Sequence, residues 1–174
     1  MTIIVLIMGV SGSGKTTIGQ RVADDLNWEF LDADDVHPAA NIEKMRRGQP
    51  LDDSDRAPWL ATLADILSER VAQQRPTVLA CSALKQSYRD RIQQGCHHVS
   101  IIYLKGSYDV IYHRMQQRSQ HFMEADLLAS QFAILEEPEE ALVVALDQPL
   151  DAIVQAIHTH IVNLALVSMD GQTD

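Results

Sequence analysis

A glycine-rich segment near the start of the chain contains the residue types that hold phosphate groups. It consists of Gly9, Val10, Ser11, Gly12, Ser13, Gly14, Lys15 and Thr16. This order matches the pattern G-x-x-x-x-G-K-[ST] at every position. Glycines allow backbone N–H groups to turn towards phosphate oxygens, and a helix that begins near Lys15 directs its positive dipole end at the same oxygens. The phosphate-binding segment therefore predicts a site for a purine nucleoside triphosphate.

The residues at the end of this segment have separate predicted roles. Lys15 is placed to reach the β- and γ-phosphates and is a candidate catalytic residue. The hydroxyl group of Thr16 is a candidate Mg²⁺ ligand, and that of Thr17 can donate to the α-phosphate. ATP and Mg²⁺ are therefore the expected cofactors.

Acidic side chains follow the second apolar run, where residues 30–35 read Phe-Leu-Asp-Ala-Asp-Asp. Open parallel sheets bind ligands at the carboxyl ends of their strands, which places these carboxylates beside the phosphate-binding segment. In an extended chain Asp32 and Asp34 point the same way, because side chains of a strand repeat every second residue. We expect Asp32 to hold Mg²⁺, directly or through water, and Asp34 to accept a proton from the hydroxyl group of an acceptor.

Three further side chains are candidates for the acceptor pocket. Ser82 lies among small residues after the third apolar run, where backbone and hydroxyl group can approach a ligand. Arg56 and Arg89 each follow a loop at the end of a predicted strand. Because the planar guanidinium group suits a pair of carboxylate or phosphate oxygens, both arginines are predicted to bind an anion.

A second pair of arginines is predicted to serve the phosphate donor. Arg114 and Arg118 are four residues apart and therefore share one face of a helix. There they can present two guanidinium groups to the phosphoryl group in transfer, where negative charge has to be stabilised. We expect a lid at about residues 115–130 that closes over the phosphates and excludes water.

Five short apolar runs alternate with segments of helical periodicity and position these residues. The runs are Ile3–Met8, Trp28–Leu31, Thr77–Cys81, Val99–Leu104 and Leu142–Leu146. They are almost continuously apolar, as in strands that are covered on both faces. We therefore predict a three-layer α/β fold, in which a five-stranded parallel sheet has helices on both faces.

No internal repeat or low-complexity linker divides the chain, so residues 1–174 are expected to form a single domain. Asp55 is predicted to cap the helix that has Pro58 within its first turn. The polar residues at about 168–174 are expected to fray.

The charge distribution restricts the classes of partner. The net charge of −10 argues against nucleic acid and anionic membranes. All 14 Lys and Arg residues lie at or before Arg118, together with 14 of the 24 Asp and Glu residues, so an anion site is expected in the first two thirds of the chain. With two cysteines and no apolar run of about 18 residues, we expect a cytoplasmic protein without a membrane span.

Two missing motifs argue against a GTPase switch. No glycine has an aspartate three positions before it, and the motif N-K-x-D is absent. A kinase for a small acceptor and an ATP-dependent regulatory module without an acceptor remain as alternatives.

Motifs between Gly9 and about Leu150 form a combination that is more specific than the phosphate-binding segment alone. They are Leu31–Pro38, Asn41–Met45, Pro50-Leu51 with Asp55-Arg56 and Pro58–Leu60, Cys81–Lys85 with Tyr88–Asp90, His121-Phe122, and Ser130–Phe132 with Leu135-Glu136. This combination resembles the gluconokinase family, small P-loop kinases that are related to shikimate kinases.

The resemblance implies phosphorylation of D-gluconate by ATP at the 6-hydroxyl group, giving 6-phospho-D-gluconate, usually in a homodimer. It implies that Asp34 contacts and activates this hydroxyl group. The other residues that it assigns are His37, Arg56 and Arg89 around the sugar acid, and Arg114, Arg118 and Gln148 on the nucleotide side. Another small-acceptor kinase of the same fold, such as one acting on shikimate, is the alternative.

Overall fold

The computed structural model describes residues 2–96, 98–118 and 123–170. The strands are β1 (Ile4–Met8), β2 (Glu29–Asp32), β3 (Thr77–Ala80), β4 (Val99–Lys105) and β5 (Leu142–Ala145). The helices are α1 (Lys15–Leu26), α2 (Ala39–Arg46), α3 (Asp53–Ala72), α4 (Gln86–Ile92), α5 (Tyr108–Arg118), α6 (Met123–Ile134) and α7 (Leu150–Asp170). Every predicted apolar run forms a strand, and each boundary lies within one residue of the predicted one.

The strands form one parallel sheet in the order β2-β3-β1-β4-β5. In the central strand β1, Ile4 and Leu6 pack in the layer of α3 and α4, whereas Val5 and Ile7 pack in the layer of α1 and α7. All four side chains are fully buried. Coverage of both faces explains why the run is apolar at every position, and it confirms the predicted three-layer α/β fold.

The order of the strands determines where the phosphate-binding loop and the acidic loop leave the sheet. Ala80 of β3 pairs with Ile7 of β1 on one side and with Asp32 of β2 on the other. Because the strands are parallel, the loops after β1 and β2 leave the same edge of the sheet. The spacing of two strand intervals separates them by about 10 Å, which side chains can bridge.

The start of α3 differs from the prediction. Asp52, not Asp55, is the N-cap residue, and its Oδ1 accepts a hydrogen bond from the backbone N–H of Asp55 at 2.9 Å. Asp55 completes a capping box, because its Oδ2 accepts from the backbone N–H of Asp52 at 2.8 Å. Several residues between 52 and 55 can cap a helix, and this reciprocal pair selects the first of them. Pro58 consequently lies inside the helix rather than in its first turn.

The last helix is longer than predicted. The backbone of α7 stays helical to Asp170, past position 168 where fraying is expected, and residues 171–174 lie outside the described part of the chain. Backbone hydrogen bonds, which every non-proline residue can make, extend a helix beyond its apolar face. Within the described ranges, no helix has the length and apolar character needed to cross a bilayer.

We expect the substitution Asp52→Ala to lower the free energy of unfolding by about 1 kcal/mol, because the N–H of Asp55 loses its acceptor. Asp52→Asn retains an acceptor oxygen and should lose less. Urea unfolding followed by circular dichroism measures both variants. Equal losses would contradict the capping role and point to the charge of Asp52 beside Lys44, whose Nζ lies 3.6 Å from the Asp52 carboxylate.

Candidate active site

The phosphate-binding segment turns sharply between β1 and α1. Gly12 and Gly14 have positive φ angles of 79° and 93°, a region that glycine adopts without strain. Gly12 also packs against α5, since a Cβ atom at this position would lie 2.4 Å from Cγ of Met115. The backbone therefore requires both glycines, and the segment is held against α5.

Two polar groups inside the segment are arranged for an anion. Ser13 Oγ is buried and has no hydrogen-bond partner among the described residues. Nζ of Lys15 donates to the backbone oxygen of Val10 at 3.1 Å, which holds the ammonium group along the loop. Burial lowers the pKa of Lys15, whereas the Asp34 carboxylate raises it. A phosphate oxygen would supply an acceptor for the serine hydroxyl group and a counter-charge for the lysine.

The carboxylate of Asp32 joins the two sides of the site. Its Oδ2 accepts a hydrogen bond from the Thr16 hydroxyl group at 2.6 Å, and its Oδ1 accepts one from the backbone N–H of Asp34 at 3.0 Å. The acidic residues thus meet the phosphate-binding segment as predicted. The predicted extended geometry is wrong, however, because β2 ends at Asp32 and a 3₁₀ turn spans Ala33–Val36. The side chain of Asp32 caps this acidic turn.

Asp34 has the environment of a proton acceptor. Its side chain is 84 % exposed. Partial desolvation, and then repulsion from Asp32, raise the pKa of Asp34, whereas Lys15 and His37 lower it. A carboxylate with a raised pKa is a better acceptor for the proton of an alcohol. Position and electrostatics therefore both suit a general base.

A stacked pair of rings supports the acidic turn. The imidazole of His37 and the indole of Trp59 lie within 13° of parallel, with ring centroids 4.2 Å apart. Trp59 Nε1 donates to the backbone oxygen of Ala33 at 2.7 Å, which fixes the turn that contains Asp34. His37 Nε2 lies 3.8 Å from Oδ1 of Asp34, and only 6 % of the His37 side chain is exposed. Burial lowers the pKa of His37, so the ring is a neutral group at neutral pH.

A polar cluster joins the start of α3 to the acceptor loop, residues 81–85 between β3 and α4. Nζ of Lys85 donates to both carboxylate oxygens of Asp53 at 2.9 Å, and the Tyr88 hydroxyl group donates to the same carboxylate. The guanidinium group of Arg56 lies 5.5 Å from the centre of the Tyr88 ring. The positive charge of Arg56 also lowers the pKa of His37, so the electrostatic effect of Arg56 extends to the acidic turn.

The acceptor loop contains a half-buried serine and an unreactive thiol. Ser82 is partly accessible after the end of β3, where the sequence predicts it. Burial raises the pKa of the adjacent Cys81 to about 12, so the thiol stays protonated and is a poor nucleophile. Sequence reasoning assigned no role to Lys85, although its position directly after this run of small residues marks it as a cation beside the cleft.

Arg89 lies one helical turn after the acceptor loop, where its guanidinium group bonds to the backbone of that loop. The residue is 1 % exposed. Its Nη1 donates to the backbone oxygens of Ala83 at 2.9 Å and Leu84 at 3.3 Å, and its Nη2 donates to Oε1 of Gln86 at 2.7 Å. Ala83 has a positive φ of 44°, so these bonds hold a strained loop in place. The small residues admit the guanidinium group under the loop, and the anion contact expected of Arg89 stays a prediction.

A cavity of about 210 Å³ adjoins the phosphate-binding segment. It is lined by Ser13, Gly14, Thr17, Ile18, Arg114, Gln148, Leu150 and Ile153. Arg114 donates to the backbone oxygen of Leu146, and Gln148 Nε2 donates to that of Ala145 at 2.8 Å. Arg114 from α5 and Gln148 from the loop after β5, both predicted to bind the nucleotide, thus lie close together beside the phosphate-binding segment. Arg118 ends α5, and its side chain lies outside the described part of the structure, as do residues 119–122 of the predicted lid.

A larger cavity of about 500 Å³ lies at the opposite edge of the sheet, by the amino ends of β1, β4 and β5. Its lining includes Ser100, whose Oγ lies 3.1 Å from Nε2 of His160. None of the predicted site residues lines this cavity. The predicted site residues therefore lie at the carboxyl ends of the strands, as expected for an open parallel sheet.

Known proteins share both the sequence and the fold of this chain. The AAA domain family matches residues 4–138. A protein of Mus musculus named probable gluconokinase is 46 % identical over 174 aligned residues, which cover 88 % of this chain and 95 % of the mouse chain. The chain belongs to the gluconokinase family. The thermoresistant gluconokinase of Escherichia coli K12 is 45 % identical, over 87 % of this chain and 89 % of its own.

A solved gluconokinase structure extends the match to three dimensions. The crystal structure of a gluconokinase from Sinorhizobium meliloti 1021 superposes with a TM-score of 0.88 at 38 % identity, covering 99 % of this chain and 98 % of the other. The family predicted from the sequence motifs and the predicted P-loop kinase fold are both confirmed.

The two arginines assigned to the acceptor should respond differently to substitution. Arg89→Ala leaves the backbone oxygens of Ala83 and Leu84 without their buried donor, so we expect the free energy of unfolding to fall by about 1–3 kcal/mol. Arg56→Ala removes a half-buried cation and should instead raise KM for an acidic acceptor. Urea unfolding and steady-state kinetics separate the two effects. An Arg89→Ala protein of normal stability, with a raised KM for the acceptor as its only defect, would instead support the predicted anion contact of Arg89.

Proposed function

We propose that the protein transfers the γ-phosphoryl group of ATP to the 6-hydroxyl group of D-gluconate, giving 6-phospho-D-gluconate and ADP. The observation on which this rests is the bridge that Asp32 makes between Thr16 and Asp34, because it joins a phosphate-binding loop to a carboxylate in one cleft. Identity of 46 % to a protein named gluconokinase supports D-gluconate as the acceptor.

On the donor side, the phosphate-binding segment surrounds the triphosphate with N–H groups, and Lys15 contacts its β- and γ-phosphates. Arg114 and Gln148 hold the nucleoside end of ATP in the adjoining cavity of about 210 Å³. Arg118 adds positive charge to the phosphoryl group in transfer. Most of the catalysis is positioning and charge stabilisation, because phosphoryl transfer needs little other chemistry from the protein.

The donor set at the bridge fits Mg²⁺. The Thr16 hydroxyl group and the Asp32 carboxylate are oxygen ligands that already lie 2.6 Å apart, and they would hold the ion directly or through water. Mg²⁺ takes one or two carboxylates and fills its remaining positions with water and phosphate oxygens. The described residues contain no group of three or more His, Cys, Asp and Glu side chains arranged for a metal. When bound, Mg²⁺ neutralises charge on the β- and γ-phosphates.

On the acceptor side, the 6-hydroxyl group lies against the carboxylate of Asp34. The bond between O6 and the γ-phosphorus forms while the bond from this phosphorus to the leaving oxygen of ADP breaks. Asp34 takes the hydroxyl proton and afterwards releases it to water. Ser82, His37 and Arg56 surround the sugar acid, and Arg56 supplies a positive charge for its carboxylate.

We also propose a cytoplasmic homodimer that binds neither nucleic acid nor membranes. The family resemblance supports the dimer, and the net charge of −10 disfavours polyanionic partners. Sedimentation velocity at micromolar concentration tests the assembly, and a monomer under those conditions would contradict it.

A panel of acceptors tests the proposed reaction. The protein is incubated with ATP, Mg²⁺ and D-gluconate, another sugar acid or shikimate, and the release of ADP is followed. We expect turnover with D-gluconate to exceed that with every other acceptor. Turnover with shikimate alone would indicate a kinase of the same fold that acts on shikimate instead of D-gluconate. ADP release that no acceptor stimulates would indicate a regulatory module.

Asp34→Asn should lower kcat by roughly 10²–10⁴-fold, because an amide cannot accept the hydroxyl proton. The affinity for ATP should survive, since Asp34 does not belong to the phosphate-binding segment. Steady-state kinetics and a nucleotide titration measure the two effects. Asp35→Asn, which removes the neighbouring carboxylate, is the matched control and should retain most of the activity. Normal turnover by Asp34→Asn would remove this residue from the mechanism.

The role of Asp34 as a base determines the sign of a pH effect, and its raised pKa determines the pH at which the effect begins. Because Asp34 acts as a base only when ionised, kcat/KM should fall as pH falls. The decline should begin at a higher pH than for an ordinary aspartate, since desolvation and Asp32 raise this pKa. A pH profile of kcat/KM checks the prediction, and the residual activity of Asp34→Asn should lack this acid limb.

A further inference from the structure

The carboxyl end of α6 and the chain just after it contact both loops of the active site. Gln131 binds Ser11 of the phosphate-binding segment, and Glu136 binds the chain at Leu84 and Gln86 around the end of the acceptor loop. We propose that Gln131 and Glu136 are positioning residues that keep the phosphate-binding segment and the acceptor loop at a fixed separation. The inference rests on the proposed kinase reaction and adds two residues to which that reaction assigned no role.

Gln131 uses both ends of its side-chain amide on one residue of the phosphate-binding segment. Its Oε1 accepts a hydrogen bond from the backbone N–H of Ser11 at 2.7 Å, and its Nε2 donates to Oγ of Ser11 at 2.9 Å. The next residue, Gly12, is in contact with α5 through Met115. Two consecutive residues of the segment are therefore held by α5 and α6, although these helices follow it by about a hundred residues in the chain.

Glu136 holds the acceptor loop in a similar way. Its backbone N–H donates to the oxygen of Leu84 at 2.9 Å, and its Oε2 accepts from the backbone N–H of Gln86, the first residue of α4, at 2.6 Å. The same Leu84 oxygen accepts a hydrogen bond from Nη1 of Arg89 at 3.3 Å. The strained acceptor loop is thus held by Arg89 of α4 and by Glu136, which follows α6.

The two contacts are joined by a short and packed stretch of chain. α6 ends at Ile134, and Phe132, Ile134 and Leu135 pack against the apolar core. At a helical rise of about 1.5 Å per residue, the three steps from Gln131 to Ile134 span about 4.5 Å, and the two residues after the helix add at most about 7 Å. A stretch of this kind cannot change its length without unpacking. A displacement of about 1 Å between reacting groups can lower the rate about a hundredfold. The packed chain from Gln131 to Glu136 therefore affects the rate of phosphoryl transfer directly.

The variant Gln131→Met tests the donor contact, because methionine has a similar length and makes neither hydrogen bond. We expect kcat to fall by about tenfold to a hundredfold, with little change in the affinity for ATP. More ATP should be hydrolysed for each phosphorylated acceptor, since water competes when the acceptor is misaligned. Gln131→Glu still accepts from the N–H of Ser11 and can accept from its hydroxyl group, so it should recover much of the rate. Ser130→Ala is the matched control and should behave as the wild type, because Ser130 is exposed and its hydroxyl group donates to the backbone oxygen of Leu127 within α6.

Glu136→Met tests the acceptor contact and should raise KM for D-gluconate while KM for ATP stays unchanged. The measurements are steady-state kinetics, the ratio of ADP to phosphorylated product, and thermal unfolding of each variant. Lower thermal stability of Gln131→Met with normal kcat and a normal product ratio would overturn the inference. It would also be overturned if Gln131→Glu were no more active than Gln131→Met. A wild-type protein that is inactive on D-gluconate would instead refute the proposed function, so the two failures are distinguishable.

Discussion

The hydrogen bond between Thr16 and Asp32 is the contact on which the geometry of the active site depends. The loops after β1 and β2 belong to strands that do not pair with each other, since β3 lies between them. The ladders through β3 fix the register of the strands, but no ladder joins β1 and β2, or the loops that follow them, directly. The Asp32 carboxylate joins the two loops with its two oxygens, one on the helix that begins the donor side and one on the turn that begins the acceptor side.

This arrangement has an electrostatic consequence. Desolvation, and then repulsion from Asp32, raise the pKa of Asp34, and the ammonium group of Lys15 only partly offsets them. The hydrogen bonding of the two carboxylates differs, which suits them to the two roles proposed for them. Asp32 is occupied as an acceptor from the Thr16 hydroxyl group and the Asp34 N–H, whereas the side chain of Asp34 remains exposed. One fixed and one accessible carboxylate are what a metal ligand and a general base require.

The sequence predicts the frame of this protein better than its local contacts. The strands could be placed within one residue because a strand buried on both faces must be apolar throughout, and β1 is the clearest case. The phosphate-binding segment could be placed because positive φ angles and the approach of Met115 restrict Gly12 and Gly14 to glycine.

The sequence leaves open the contacts of residues whose types permit more than one partner. An arginine after a strand can bind a ligand or the backbone of its own loop, and only the fold shows that Arg89 does the latter. Asp52 and Asp55 can each cap a helix, and a reciprocal pair of hydrogen bonds decides between them. Periodicity also could not show that the chain turns at Ala33, since this turn is stabilised by the side chain of Asp32 and by Trp59 from a distant helix.

The stacking of Trp59 on His37 has an optical consequence. The chain has only two tryptophans, and Trp28 packs in the other layer of the core, near the start of β2. The indole of Trp59 is thus hydrogen-bonded to the turn that contains Asp34 and stacks on the imidazole of His37. The chain therefore contains its own fluorophore for events at the acceptor carboxylate, and occupancy there is readable without an added label.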